Sequence, residues 1–95
     1  MFVVAARYYT KEGKDNEVAE ILKKMTVISR AEPGCAYYMV NRSVDDPRKF
    51  LLYEQYRGKA GYEAHMATEA FKDNILGKAV PLLESRERDF FETLD

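Results

Sequence analysis

PGCAYYMVNRSVDDPRKFLLYEQYR, residues 33–57, decides the fold. It holds two runs rich in aromatic and aliphatic residues, at 35–43 and 49–57, divided by Val44-Asp45-Asp46-Pro47-Arg48. Such runs read as strands, and an Asp-Asp-Pro cluster between them reads as a turn. The stretch therefore predicts an antiparallel hairpin. Pro33-Gly34 opens it, in the order that the central positions of a type II turn require.

Upstream, residues 2–9 (FVVAARYY) are β-branched, aromatic or small and predict a strand. Lys11-Glu12-Gly13-Lys14 is a polar break. Val18, Ile21, Leu22, Met25 and Ile28 then recur at helical spacing and predict a helix over 15–31, with Asp15 or Asn16 as its cap. Downstream, Gly58 ends the hairpin. A short helix over 60–67 carries Tyr62, His65 and Met66. Thr68 is the expected cap of a further helical segment with Phe71, Ile75 and Leu76 facing inward, closed by Gly77 and Pro81. Residues 85–94 predict a last strand whose first half is charged or polar. The order is βαββαβ, the ferredoxin-like α+β pattern, in one domain over 1–95.

Composition narrows the function classes. The 95 residues are 46% apolar and 33% charged, with a net charge of −1. That fits a globular chain and gives no field to steer nucleic acid and no basic patch for a membrane surface. Cys35 is the single cysteine, so no internal disulfide is possible and a cytoplasmic setting is expected. The first residues lack the basic start and long apolar run of a signal peptide. No apolar run approaches the roughly 20 residues of a membrane helix.

The strands imply a partner. In this fold the helices cover one face of the sheet, and the other face should turn polar if it meets water. Here Phe2, Val4, Ala6 and Tyr8 oppose Val3, Ala5 and Tyr9. Tyr38 and Val40 oppose Tyr37 and Met39, and Phe50 and Leu52 oppose Leu51 and Tyr53. Both faces are apolar, so a homodimer packed sheet to sheet is expected.

Few residues offer chemistry. His65 is the only histidine and titrates near neutrality without help; a structural histidine is the alternative reading. Glu54 and Tyr56 share a face of the third strand with Phe50 and Leu52, and a glutamate in such company is either paired or shifted in pKa. Asn41 could orient a polar group of a ligand or simply end a strand. The seven tyrosines and five phenylalanines could line an aromatic pocket or form plain core. Cys35 has no cationic neighbours in sequence, which argues against a nucleophile. No metal-ligand cluster, phosphate loop or GxGxxG occurs.

Three stretches resemble the antibiotic biosynthesis monooxygenase family: Ser29-Arg30-Ala31-Glu32-Pro33-Gly34-Cys35, Asp45 to Tyr56 (DDPRKFLLYEQY), and Ala64 to Lys72 (AHMATEAFK). Together they span most of the chain in order. The resemblance implies a dimeric α/β-barrel with one pocket per subunit between sheet and helices. It implies a monooxygenase of a small aromatic or quinol that uses dioxygen and no metal, flavin or haem. On this reading His65, Tyr56 and Glu54 are catalytic, and Asn41, Phe71 and Tyr62 contact substrate. Ala70 stands where many members carry a second histidine. The haem-cleaving branch is disfavoured, because its positions hold Ala6 or Arg7, His65 and Ile75 here, and the chain has no tryptophan. Two alternatives remain: an isomerase or degradative enzyme on a small phosphorylated signal, with Arg7, Arg42 or Arg57 as phosphate clamp, and a non-catalytic dimeric binding protein.

Overall fold

The computed structural model describes residues 1–94. Four strands form one antiparallel sheet: β1 (Phe2–Thr10), β2 (Cys35–Arg42), β3 (Lys49–Tyr56) and β4 (Leu83–Glu92). Their order across the sheet is β2-β3-β1-β4. Helix α1 (Asp15–Arg30) joins β1 to β2, while α2 (Gly58–Met66) and α3 (Phe71–Ala79) join β3 to β4. This is the ferredoxin-like α+β arrangement that the element order predicts. The last strand begins two residues earlier than the sequence suggests, because Leu83 turns into the core after the short 3-10 turn Val80–Leu82.

The helices cover one face only. Val4, Ala6 and Tyr8 of β1, Tyr38 of β2, and Phe50, Leu52 and Tyr56 of β3 meet Val18, Leu22 and Met25 of α1 and Phe71 and Ile75 of α3 in a single core. On the opposite face Tyr37, Met39, Leu51 and Phe91 stand exposed around Val3 and Ala5. Strand alternation puts these residues there, and no element among the described residues covers them.

Four local expectations need correction. The side chains of Asp15 and Asn16 do not cap α1. Both reach Arg42 on β2 instead, so the first turn of the helix is tied to the sheet by charge. Leu76 is exposed, because Phe71, Asn74, Ile75 and Ala79 fill the inward arc of α3. Gly77 does not end that helix. Residues Phe71–Ala79 wind as a π-helix that runs through it, and a Cβ on Gly77 would lie 3.3 Å from the Lys72 carbonyl oxygen. Thr68 does serve as a cap, since its Oγ1 accepts the Phe71 N–H at 3.1 Å.

Pro33-Gly34 is not a type II turn either, because the positive-φ glycines are Gly13 and Gly58. Gly34 is required for close approach. A Cβ there would lie 2.9 Å from the Cα of Gly61 in α2, and one on Gly61 would lie 2.9 Å from the Gly34 oxygen. The helix thus rests backbone to backbone on the turn. Alanine in a helix normally gains about 1 kcal/mol over glycine. Gly61→Ala is expected to lose about 1–3 kcal/mol instead, since backbone cannot yield as a flexible side chain does. A urea midpoint that rises in this variant would show that the contact is not tight.

Candidate functional site

The helix face of β3 carries a carboxylate into the core. Glu54 is opposite Val4 on β1 and Tyr38 on β2, and only 4% exposed. Tyr56, two residues on and pointing the same way, donates its hydroxyl to Glu54 Oε1 at 2.5 Å. Burial lifts Glu54 to about 7, against the downward pull of the Tyr56 hydrogen bond and the positive charges of Arg86 and Arg88. An acid that titrates near neutrality is suited to exchange a proton with a bound molecule. Burial, then the charge of Glu54, holds the Tyr56 phenol protonated. Burial also raises Tyr8 and Tyr38.

His65 reaches the same region from α2, at 2% exposure. Its Nδ1 lies 2.9 Å from Oε1 of Glu32. Burial lowers its pKa, outweighing the pull of Glu32 in the other direction. The neutral ring therefore donates its Nδ1 proton to the carboxylate, which leaves Nε2 as the basic nitrogen. The rings of Phe71 and Tyr56 stand 5.1 and 5.2 Å from it, with Tyr38 and Tyr62 near 6 Å. The contact between Gly34 and Gly61 makes the hydrogen bond between His65 and Glu32 possible, because it brings α2 down onto the turn that carries Glu32.

Five of the six site residues expected from sequence gather here: Glu54, Tyr56, Tyr62, His65 and Phe71. Asn41 does not. It is paired with Leu51 on the other face of the sheet, where its amide donates to the Leu51 carbonyl at 3.2 Å. Strand alternation from Tyr38 carries Val40 to the helix side and Asn41 away from it. The three arginines expected as a phosphate clamp also lie elsewhere. Arg7 pairs with Asp89, Arg42 with Asp15, and Arg57 donates to the Pro33 carbonyl. None of them is bonded to His65 or its neighbours, so the clamp is not assembled. Cys35 is buried, with its thiol pushed up by desolvation, which does not suit a nucleophile.

Sequence reasoning missed Glu32 and the arginines of β4. Glu32 lies in the Glu-Pro-Gly-Cys motif, and the motif was its only signal. Arg86 and Arg88 belong to a charged strand that resembles a solvated edge. Alternation and pairing put both on the helix side, opposite Tyr8 and Ala6. Arg88 donates to the Tyr62 hydroxyl at 2.9 Å.

The cluster is packed rather than hollow. Two open cavities, of about 670 and 540 Å³, lie away from it. The larger opens beside Arg7, Tyr9, Asn41 and Leu51, and the smaller runs between α1 and β2. Neither is lined by Glu54, His65 or Tyr56. Among the described residues no three histidine, cysteine or acidic side chains come together as a metal site. No helix is long and apolar enough to cross a membrane.

The two buried bases give opposite pH dependences of stability. An acid whose pKa is raised on folding stabilises the native chain below its unfolded value of 4.5, and this contribution is lost as pH rises through about 7. The Glu54 term is on the order of 3 kcal/mol. For His65, lowered on folding, stability is lost as pH falls below 6.5. Urea unfolding from pH 5 to 8 should therefore show wild type losing stability relative to Glu54→Gln. Parallel curves for the two proteins would mean that Glu54 does not titrate in this range.

The fold is shared with proteins of known structure. The family model described as antibiotic biosynthesis monooxygenase matches residues 1–75. A crystal structure from Pseudomonas aeruginosa is 26% identical, with a TM-score of 0.92 over 99% of this chain and 94% of that one. A protein of Shewanella oneidensis is 28% identical, with a TM-score of 0.88 over 95% of this chain and 87% of that one. An uncharacterized protein of Synechocystis sp. is 30% identical over 73 residues, which is 77% of this chain but only 50% of the relative. The chain thus spans about half the length of that curated relative. With the family model covering most of its length, the chain belongs to the antibiotic biosynthesis monooxygenase family.

Proposed function

We propose that the protein is a homodimeric, cofactor-independent monooxygenase that oxidises a small aromatic, quinol-type substrate with dioxygen. The observation that carries this reading is the pairing of two bases inside one aromatic cluster. Glu54 titrates near 7, and His65 is held neutral with Nε2 free of the Glu32 contact. A quinol that loses a proton becomes electron-rich enough to give electrons to dioxygen. In an apolar enclosure the resulting anion needs a polar partner, and Tyr56 and His65 supply hydrogen-bonding groups at the right place. One oxygen atom enters the ring and the other leaves as water, so a quinol becomes a hydroxyquinone and itself provides all the electrons. Glu32 acts as a positioning residue that fixes the ring of His65.

Substrate enters where the cluster is least sealed. Phe90 of β4 is about half exposed, stacks on Phe2 and leans against Tyr62 at a tilt. A planar substrate can take the place of such a ring without unfolding the sheet.

The exposed apolar face supports the dimer. Tyr37, Met39, Leu51 and Phe91 make a patch of the kind soluble monomers rarely leave in water. Two such faces packed across a two-fold axis remove it.

One observation favours the non-catalytic binding protein instead: the cluster is closely packed, and His65 already has a partner at Nδ1. Oxygen consumption separates the two. With a quinol and no added metal, an oxygen electrode should record enzyme-dependent uptake, and His65→Ala should lower kcat/KM by about 10²–10⁴. Glu32→Gln should lower it less and shift the pH profile. An unchanged rate in His65→Ala would remove that residue from the chemistry. For the assembly, sedimentation equilibrium should give twice the chain mass for wild type and half of that for Leu51→Asp. A monomeric wild type would end the dimer reading.

A further inference from the structure

Two guanidinium groups on the helix side of β4 lend charge to Glu54 but touch no reacting atom in the reaction just described. Arg86 and Arg88 alternate with Glu87, so both point over the core rather than to the open face. Among the described residues neither has a carboxylate partner within 4 Å, whereas Arg7 and Arg42 each have one. Arg86 lies over the Tyr8 ring at 5.7 Å, and its Nε is buried without an acceptor. Arg88 holds the Tyr62 hydroxyl and lies 5.7 Å over Phe90. An unmatched buried donor costs free energy until an acceptor arrives. Beside these charges stands an aromatic platform, Phe90 on Phe2 and Tyr62, half open to solvent.

We infer that Arg86 and Arg88 form an anion subsite at the mouth of the cluster, and that the ligand is an aromatic acid whose ring lies on Phe90 while its carboxylate meets the two guanidiniums. Guanidinium matches the planar fork of a carboxylate. The ring is demanded by the exposed aromatic platform, and the negative charge by two cations that no carboxylate among the described residues meets within 4 Å. Glu54 and Glu92 share this side of the sheet; Tyr56 already satisfies Oε1 of Glu54, and neither acid lies within 4 Å of Arg86 or Arg88. The inference rests on the reading of the cluster as a substrate site, and narrows that substrate from any quinol to one that carries an acid group.

Calorimetric titration without dioxygen, so that nothing turns over, tests it with two probes that differ by one carboxylate: hydroquinone and gentisate. Gentisate should bind about tenfold tighter or more. The preference should vanish in Arg86→Gln/Arg88→Gln and survive in part in Arg88→Lys. Arg88→Gln alone, at an exposed position, should weaken gentisate and lower the melting temperature only slightly, through the lost Tyr62 hydrogen bond, so a misfolded double variant does not spoil the test. Equal affinities, no binding of either probe, or a preference that persists in the double variant would overturn the subsite. Inorganic phosphate displacing gentisate at equal affinity would overturn the aromatic half of it. The oxygenase reading fails separately. An arginine-dependent preference with no oxygen uptake leaves the subsite standing and removes the oxygenase, whereas uptake with no preference does the reverse.

Discussion

A carboxylate inside an apolar core is costly, and this fold is arranged around keeping one there. Glu54 stands on a central strand, opposite Val4 and Tyr38, under the helices. Left alone it would stay protonated far above neutrality or unfold its surroundings. Three features hold it near its switching point. Tyr56 gives it a short hydrogen bond, Arg86 and Arg88 lend positive charge from the neighbouring side, and burial opposes both. Desolvation outweighs attraction and leaves the carboxyl at about 7. The group is therefore neither a fixed charge nor a silent acid.

Much of the fold was legible from periodicity. Alternation in 35–43 and 49–57 foretold the hairpin, and with it that Glu54 and Tyr56 share a face. Helical spacing of Val18, Leu22 and Met25 foretold the packed face of α1. The family resemblance placed His65 among candidate residues, and the backbone does bring it to Tyr56, which bonds Glu54. The failures have a common physical origin. Asn41 was assigned by residue type, while strand parity sent it to the other face. Leu76 was assigned by hydrophobicity, though a wider helical turn gave the inward arc to Asn74. Glu32 escaped because its partner is distant in sequence and its approach depends on two glycines meeting backbone to backbone. Arg86 and Arg88 escaped because charge on a strand resembles a solvated edge until pairing shows which way it points.

The sheet divides labour between its faces. The helix face holds bases, rings and unmatched cations. The open face holds aliphatic and aromatic side chains with Arg7 and Asp89 as one ion pair across β1 and β4. A residue shift of one in any strand would exchange these roles, so register protects function as well as stability. The bulge between Tyr9 and Thr10 lies at the end of β1, where it lets Leu83 enter the core without disturbing the pairing of Arg86 and Arg88 further along.

Strand β1 is near the sheet's centre, yet one of its neighbours is the last strand of the chain. The Met1 carbonyl accepts the Thr93 N–H at 3.1 Å, and the Met1 amino group donates to the Thr93 hydroxyl at 2.7 Å. During synthesis, β1 emerges first and waits for both partners. Its β3-side edge can pair once the hairpin exists, but its β4-side edge stays open until the final strand has left the ribosome. Pairings of such long sequence separation form slowly. An apolar strand with an open edge is prone to association with other chains. Nascent copies therefore pass through an interval in which a neighbour's strand can compete with their own β4 for that edge.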